Sequence, residues 1–230
     1  LSFYCLDNDI ILKLATCNLF DNVLKIFELD TNQVKILDSF KYKFRNQIQR
    51  KRGNKEVRNF QHNIEKVLEM IENYSTISEH NLDTIVIDTY TKLLNYSKTK
   101  DKNTKNTIDQ GEAILIAYLY YLNQQNDTNY LLTSDKSCLR ALTNSGFNDV
   151  IEYINGKVWC FEQLILKNIE EFGFDLIQDK IYPVRDCDTN IKTIFGYTIK
   201  VPEDRVKEDL KKEIIRLKQE TGNLLYPYPN

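Results

Sequence analysis

Short apolar runs that stop at an acid mark out this chain. LSFYCLD (1–7) is apolar and aromatic up to Asp7 and reads as a buried strand. NYLLTSD (129–135) repeats the form and ends on Asp135, and KVWCF (157–161) is a third strand. Between them the spacing changes to that of helices. NDIILKLATCNLFDNVLKIFE (8–28) sets Ile10, Leu14 and Cys17 on one face. QVKILDSFKYKF (33–44) fits a strand or a helix equally. EVRNFQHNIEKVLEMIENY (56–74) carries a stripe of Val57, Phe60, Ile64, Val67, Leu68 and Ile71, and LDTIVIDTYTKLLNY (82–96) is predicted helical despite its β-branched residues. SKTKDKNTKNT (97–107) is a polar, lysine-rich loop.

IDQGEAILIAYLYYL (108–122) opens with Asp109 and Glu112 and is then apolar nearly all round, the pattern of a buried helix. KSCLRALTNSGF is helical up to Gly146, and EQLILKNIEEFGF up to about Gly173. The succession helix, strand, helix, strand, helix from 108 to 170 predicts an α/β fold with a central parallel sheet. Residues 1–170 are taken as one domain and 171–230 as a small C-terminal extension. The extension has turn signals at Pro183, Gly196 and Pro202 and a helix over 203–220 whose charges alternate at helical spacing. The tail NLLYPYPN (223–230) has the aromatics and prolines of a docking segment.

Composition changes this picture little: 42% hydrophobic and 28% charged residues are ordinary for a globular chain. A net charge of −2 provides no global field toward nucleic acid, so any such binding needs a local patch. One exists between Lys41 and Arg58. Arg45, Arg50, Lys51, Arg52 and Arg58 stand there with Lys41, Lys43 and Lys55 against Glu56 alone, among Tyr42, Phe44 and Phe60. Basic and aromatic residues together suit a single strand; solvated helix faces give the same composition. Five widely spaced cysteines and two histidines make no zinc pattern and predict reduced thiols in a cytoplasmic protein. No apolar run is long enough for a membrane span.

The candidate chemistry lies at the strand ends. Ligands of open parallel sheets bind outside the carboxyl ends of the strands, so Asp7 and Asp135 are predicted at one edge. A helix beginning at Asp109 brings Asp109 and Glu112 there. Clustered carboxylates repel one another unless a cation neutralises them, and oxygen donors suit Mg2+ or Mn2+. The competing reading is structural: Asp7, Asp109 and Asp135 each also fit a helix N-cap.

Three motifs resemble the PIN-domain family of metal-dependent ribonucleases. YCLDNDIILKL (4–14) looks like its opening strand, acid and helix. IDQGEAILIA (108–117) is similar to a Gly-Glu-Ala variant of its helix-start motif. LLTSDKSCLRAL (131–142) looks like its strand, Thr-x-Asp and helix, with Thr133 beside the site. Many members carry a further Glu on an early helix; here Asp38 is the nearest stand-in.

The resemblance implies a three-layer α/β/α fold and hydrolysis of RNA phosphodiesters, with Asp7, Glu112 and Asp135 as ligands of Mg2+ or Mn2+ and Asp109 assisting. It also makes the chain a candidate toxin of a toxin–antitoxin pair, its extension binding an antitoxin or another protein. Within the helix-start motif, Glu112 is expected to reach forward to the sheet edge as a ligand and Asp109 to act mainly as a cap. Arg140, one turn past Asp135, is a candidate partner for the acids. Two other functions fit parts of the pattern. LDND resembles the nucleophile motif of haloacid-dehalogenase phosphatases, and a PIN-like module without activity would only bind RNA.

Overall fold

The computed structural model describes residues 1–43, 45, 64–99, 106–125 and 127–229. Five short strands form one sheet: β1 (Tyr4–Leu6), β2 (Val34–Leu37), β3 (Ser75–Ile77), β4 (Tyr130–Thr133) and β5 (Val158–Cys160). Their order is β3-β2-β1-β4-β5 and every pairing is parallel. Parallel neighbours require crossovers, and the helical segments between the strands supply them.

The chain leaves β1 to build β2 and β3 on one side, then returns to build β4 and β5 on the other. The strand order therefore reverses between β1 and β4, the position at which open parallel sheets form a crevice. Leu6 pairs with Leu132, and the Asp7 amide donates to the Leu132 carbonyl at 3.1 Å, so the two strands end together.

Two strands were not legible as such. The ambiguous stretch is both alternatives in turn: Val34–Leu37 is strand, and α3, described over 38–43, is helix. β3 has only three residues, one of them buried, and lies at the sheet edge. The predicted helix over 8–28 is two helices, α1 (Asn8–Thr16) and α2 (Phe20–Ile26). Asn18, with φ 54°, stands in the left-handed region and breaks the run, a conformation Asn tolerates better than most residues.

The later helices are α4 (Ile64–Ile71), α5 (Thr84–Thr99), α6 (Gln110–Gln124), α7 (Lys136–Thr143), α8 (Asn148–Ile154), α9 (Phe161–Phe172), α10 (Phe174–Ile181), α11 (Thr189–Phe195) and α12 (Glu203–Thr221), with a 3-10 helix at Tyr182–Cys187. α6 buries Ala113, Ile114, Leu115, Ile116, Ala117 and Leu119, as its apolar wrap required.

The extension shares the hydrophobic cluster of the sheet. Val206, Leu210, Ile214 and Leu217 recur along one face of α12 and are fully buried in that cluster. The outer face carries the self-pairing read from the sequence, with Lys207–Glu203 at 2.5 Å and Lys212–Glu208 at 2.6 Å. The tail packs on its own chain. Leu224 and Leu225 are buried, Leu225 bridges Val158, and the Tyr226 ring stacks on Trp159 with centroids 4.4 Å apart. Gln163 Nε2 donates to the Tyr226 and Tyr228 carbonyls at 2.8 and 2.5 Å. Among the described residues no helix is long and apolar enough to cross a membrane.

Candidate active site at the switch point

Asp7 follows β1 directly, in the N-cap position of α1, yet its side chain makes no cap hydrogen bond. It is 6% exposed, and its Oδ2 accepts from the Thr133 hydroxyl at 3.2 Å. That hydroxyl oxygen also accepts from the Asp135 amide at 3.0 Å, so one threonine ties both strand ends. Asp135 is a working cap: its Oδ1 accepts from the Cys138 amide at 2.8 Å at the start of α7.

The first turn of α6 brings the third group. Asp109 Oδ1 accepts from the Glu112 amide at 2.8 Å, and Glu112 Oε2 accepts from the Asp109 amide at 2.7 Å, a complete capping box. The expectation that Glu112 would turn away from the cap is therefore corrected. A Glu side chain is long enough to cap with one oxygen and still present the carboxyl to the sheet. Glu112 is 9% exposed, while Asp109 lies at the surface.

Asp7, Glu112, Thr133 and Cys138 line one small cavity with Leu115, Ile116 and Leu131. Its volume is about 10 Å3, at the threshold for a single water-sized particle. The electrostatics agree with this juxtaposition. Burial, then Asp9 and Asp135, push the Asp7 carboxyl up to about 7. Burial, then Asp135, push Glu112 up to about 10, with Asp109 and Asp7 adding to it. The Cys138 thiol is likewise held well above its ordinary range by burial and by Glu112, Asp135 and Asp7. Among the described residues no cation is paired with Asp7, Glu112 or Asp135.

Outside the cavity lies a cleft of about 250 Å3 lined by Asp9, Ser134, Asp135, Lys136, Asp188, Thr189 and Asn190. The extension forms one of its walls. Asp188 Oδ2 takes the Lys13 ammonium at 2.7 Å, linking that wall to α1. Lys136 bridges Glu162 at 2.5 Å and Glu213 at 2.7 Å. Burial disfavours ionised Glu213, but Arg216 and Lys136 outweigh it and hold its carboxyl at about 2.

Glu162, 1% exposed, is an acid the sequence reading passed over. It stands two residues after β5, so the rule that selected Asp7 and Asp135 would have found it. Lys136 and Asp9, each within two residues of a selected acid, carried a signal of the same kind. Asp188 carried none, because the extension matched no motif.

Other expectations resolve differently. Arg140 does not pair with the acids: its guanidinium holds Glu220 on α12 at 2.6 Å. Asp38 opens α3, half-buried, and is not among the residues lining the cavity. Arg45 is exposed on a helical segment, whereas Arg50, Lys51, Arg52 and Arg58 lie outside the described residues, as does most of the lysine loop.

The donor set fits Mg2+ or Mn2+ in kind. It is oxygen-only, two of its carboxyls are buried beside other acids, and Asn8 Oδ1 and Ser134 Oγ beside it are buried without a partner among the described residues. Glu112 and Asp135 each commit one carboxylate oxygen to a cap. As placed, no three acids, histidines or cysteines among the described residues converge closely enough to hold an ion together. Comparison of the chain with protein-family models, curated proteins and solved structures finds no match.

Proposed function

We propose that this chain is a divalent-cation-dependent endoribonuclease with a PIN-like, three-layer α/β/α fold. One observation carries the reading. At the switch point of a parallel sheet, Asp7 and Glu112 line one cavity and Asp135 the adjoining cleft, three acids from distant segments, two of them buried and none paired with a cation among the described residues. A protein keeps such a cluster at a cost in stability, and a bound cation is what would remove that cost.

Asp7, Glu112 and Asp135 would hold the Mg2+ or Mn2+. When bound, the ion supplies an activated water and stabilises charge on the leaving oxygen. The chain's own residues do the positioning. Thr133 fixes Asp7, Asp109 fixes Glu112 through the capping box, and the Cys138 amide fixes Asp135. The cleft lined by Asp9, Asp135 and Lys136 has room for a phosphodiester and opens to solvent. Arg45, Arg50, Lys51, Arg52 and Arg58 would hold the RNA backbone by charge. A role as the toxin of a toxin–antitoxin pair, with the extension as partner surface, belongs to the same proposal.

The test is incubation of the purified chain with single-stranded RNA in Mn2+, Mg2+ or chelator, beside Asp7→Asn. Cation-dependent cleavage by the wild type alone is expected. Binding without cleavage would make the chain an RNA-binding module. Acid-stable phosphate trapped on Asp7 from a phosphomonoester would make it a phosphatase.

A further inference from the structure

Cys17 and Cys187, 170 residues apart in sequence, face each other with their sulfurs 3.7 Å apart. Both are free thiols. Cys17 ends α1 and is fully buried; Cys187 ends the 3-10 helix of the extension and is half-buried. Cys5, Cys138 and Cys160 are buried and have no cysteine contact among the described residues. The pair lies at the join between α1 and the extension. Beside it, Asp188 holds Lys13, caps α11 through the Asn190 and Ile191 amides at 2.9 and 3.1 Å, and lines the cleft.

We propose that Cys17 and Cys187 form a reversible disulfide that staples the C-terminal extension to α1 under oxidation. Closing the contact to an S–S bond of about 2.05 Å needs a movement of under about 2 Å, within reach of two cysteines at element ends. The oxidant is a hydroperoxide. The sulfur of Cys187, the less buried of the two, attacks one peroxide oxygen and the O–O bond breaks, leaving a sulfenic acid on Cys187 and releasing the other oxygen as water or alcohol. The Cys17 sulfur then attacks the Cys187 sulfur. The S–O bond breaks, and hydroxide leaves as water with the Cys17 proton. Two thiols lose two electrons and two protons, and the peroxide is reduced by the same two electrons.

Burial of Cys17 is the reason the order runs this way. Contact with Cys187, then burial, hold the Cys17 thiol well above its ordinary range, with Lys13 as an opposing influence. It is a poor first target for peroxide and a well-placed resolving thiol for a neighbour already oxidised. The staple closes a very long loop, the case in which a cross-link restricts the unfolded chain most.

The experiment treats the folded full chain with equimolar hydrogen peroxide, blocks remaining thiols, digests without reduction and maps the peptides by mass spectrometry. The expected product joins the peptides carrying Cys17 and Cys187, is reversed by dithiothreitol, and melts higher than the reduced protein by on the order of 5–10 °C. Cys187→Ser, at a half-buried position, should melt like the reduced wild type and give neither the product nor the shift. Cys187 recovered as sulfinic acid, or in an intermolecular disulfide, with Cys17 still a free thiol in folded protein, would overturn the proposal. RNA cleavage enters neither readout, so the result stands apart from the nuclease assignment.

Discussion

Replacing Asp7 by Asn should stabilise the cation-free protein at alkaline pH. The carboxyl has an ordinary value of 3.8 and is pushed to about 7 in the fold by burial, Asp9 and Asp135. A raised carboxyl means that the folded state holds its proton more tightly than the unfolded chain. Its contribution is therefore fully present below about pH 4 and is lost as pH rises toward 7. By linkage a shift of this size corresponds to roughly 4 kcal/mol lost at neutral pH and above, and to about 1–2 kcal/mol at pH 5. Asn keeps an acceptor for the Thr133 hydroxyl but buries an amide group in place of the carboxyl oxygen, which returns about 1–3 kcal/mol where that group is left unpaired. The net gain at pH 8 in chelator is about 1–3 kcal/mol, or roughly 2–10 °C in Tm for a chain of this size. At pH 5 it should vanish or reverse. Thermal unfolding by circular dichroism at both pH values decides the matter. An Asp7→Asn protein that melts below wild type at pH 8, or by the same margin at both pH values, would refute the view that Asp7 is held against its own charge. Added Mn2+ should raise the wild-type Tm at pH 8 and leave the variant unmoved, since only a site that binds the folded state stabilises by mass action.

Glu112→Gln and Asp109→Asn both preserve an acceptor for the capping box, so both should fold; Glu112→Gln should lose Mn2+-dependent RNA cleavage by at least tenfold and Asp109→Asn by much less, and single-turnover rates that rank the other way would reverse the roles assigned within this motif. Arg140→Ala should leave cleavage unchanged and lower stability by under about 1 kcal/mol, because its pair with Glu220 is partly solvated; a selective loss of activity at wild-type Tm would return Arg140 to the site.

How much of this was legible depends on where the physical signal resides. Asp7 and Asp135 were readable because a buried parallel strand is a short, nearly continuous apolar run, and such runs end abruptly. The carboxyl-edge rule then needed no coordinates. β3 was not readable: three residues with a single buried side chain have no period to detect. The break at Asn18 was hidden because the apolar spacing continues across it, with Cys17 and Leu19 both fully buried. The packing of the extension was hidden for a related reason. Its α12 is so rich in charge that the stripe of Val206, Leu210, Ile214 and Leu217 is diluted, although burial of those four residues joins it to the common hydrophobic cluster.

Cap and ligand are competing readings of the same residues, and local sequence does not separate them. An acid before a helix satisfies the free amides of its first turn, and an acid after a strand faces the crevice; in a β-to-α junction these are one position. What separates them is where the side chain's hydrogen bonds go. Asp109 and Asp135 give oxygens to amides of the helices they precede, and Glu112 gives one to the Asp109 amide. Asp7 holds the N-cap position of α1 without the usual cap hydrogen bond; its carboxyl takes the adjoining Asn8 amide and the hydroxyl of a threonine on the neighbouring strand. A cap contributes about 1 kcal/mol, whereas keeping Asp7 buried among acids costs several times that at neutral pH. A conventional cap would turn Asp7 toward the later amides of the first α1 turn and away from Thr133. Its orientation across the sheet, toward the strand that ends in Asp135, is therefore the feature least explained by folding and best explained by a site.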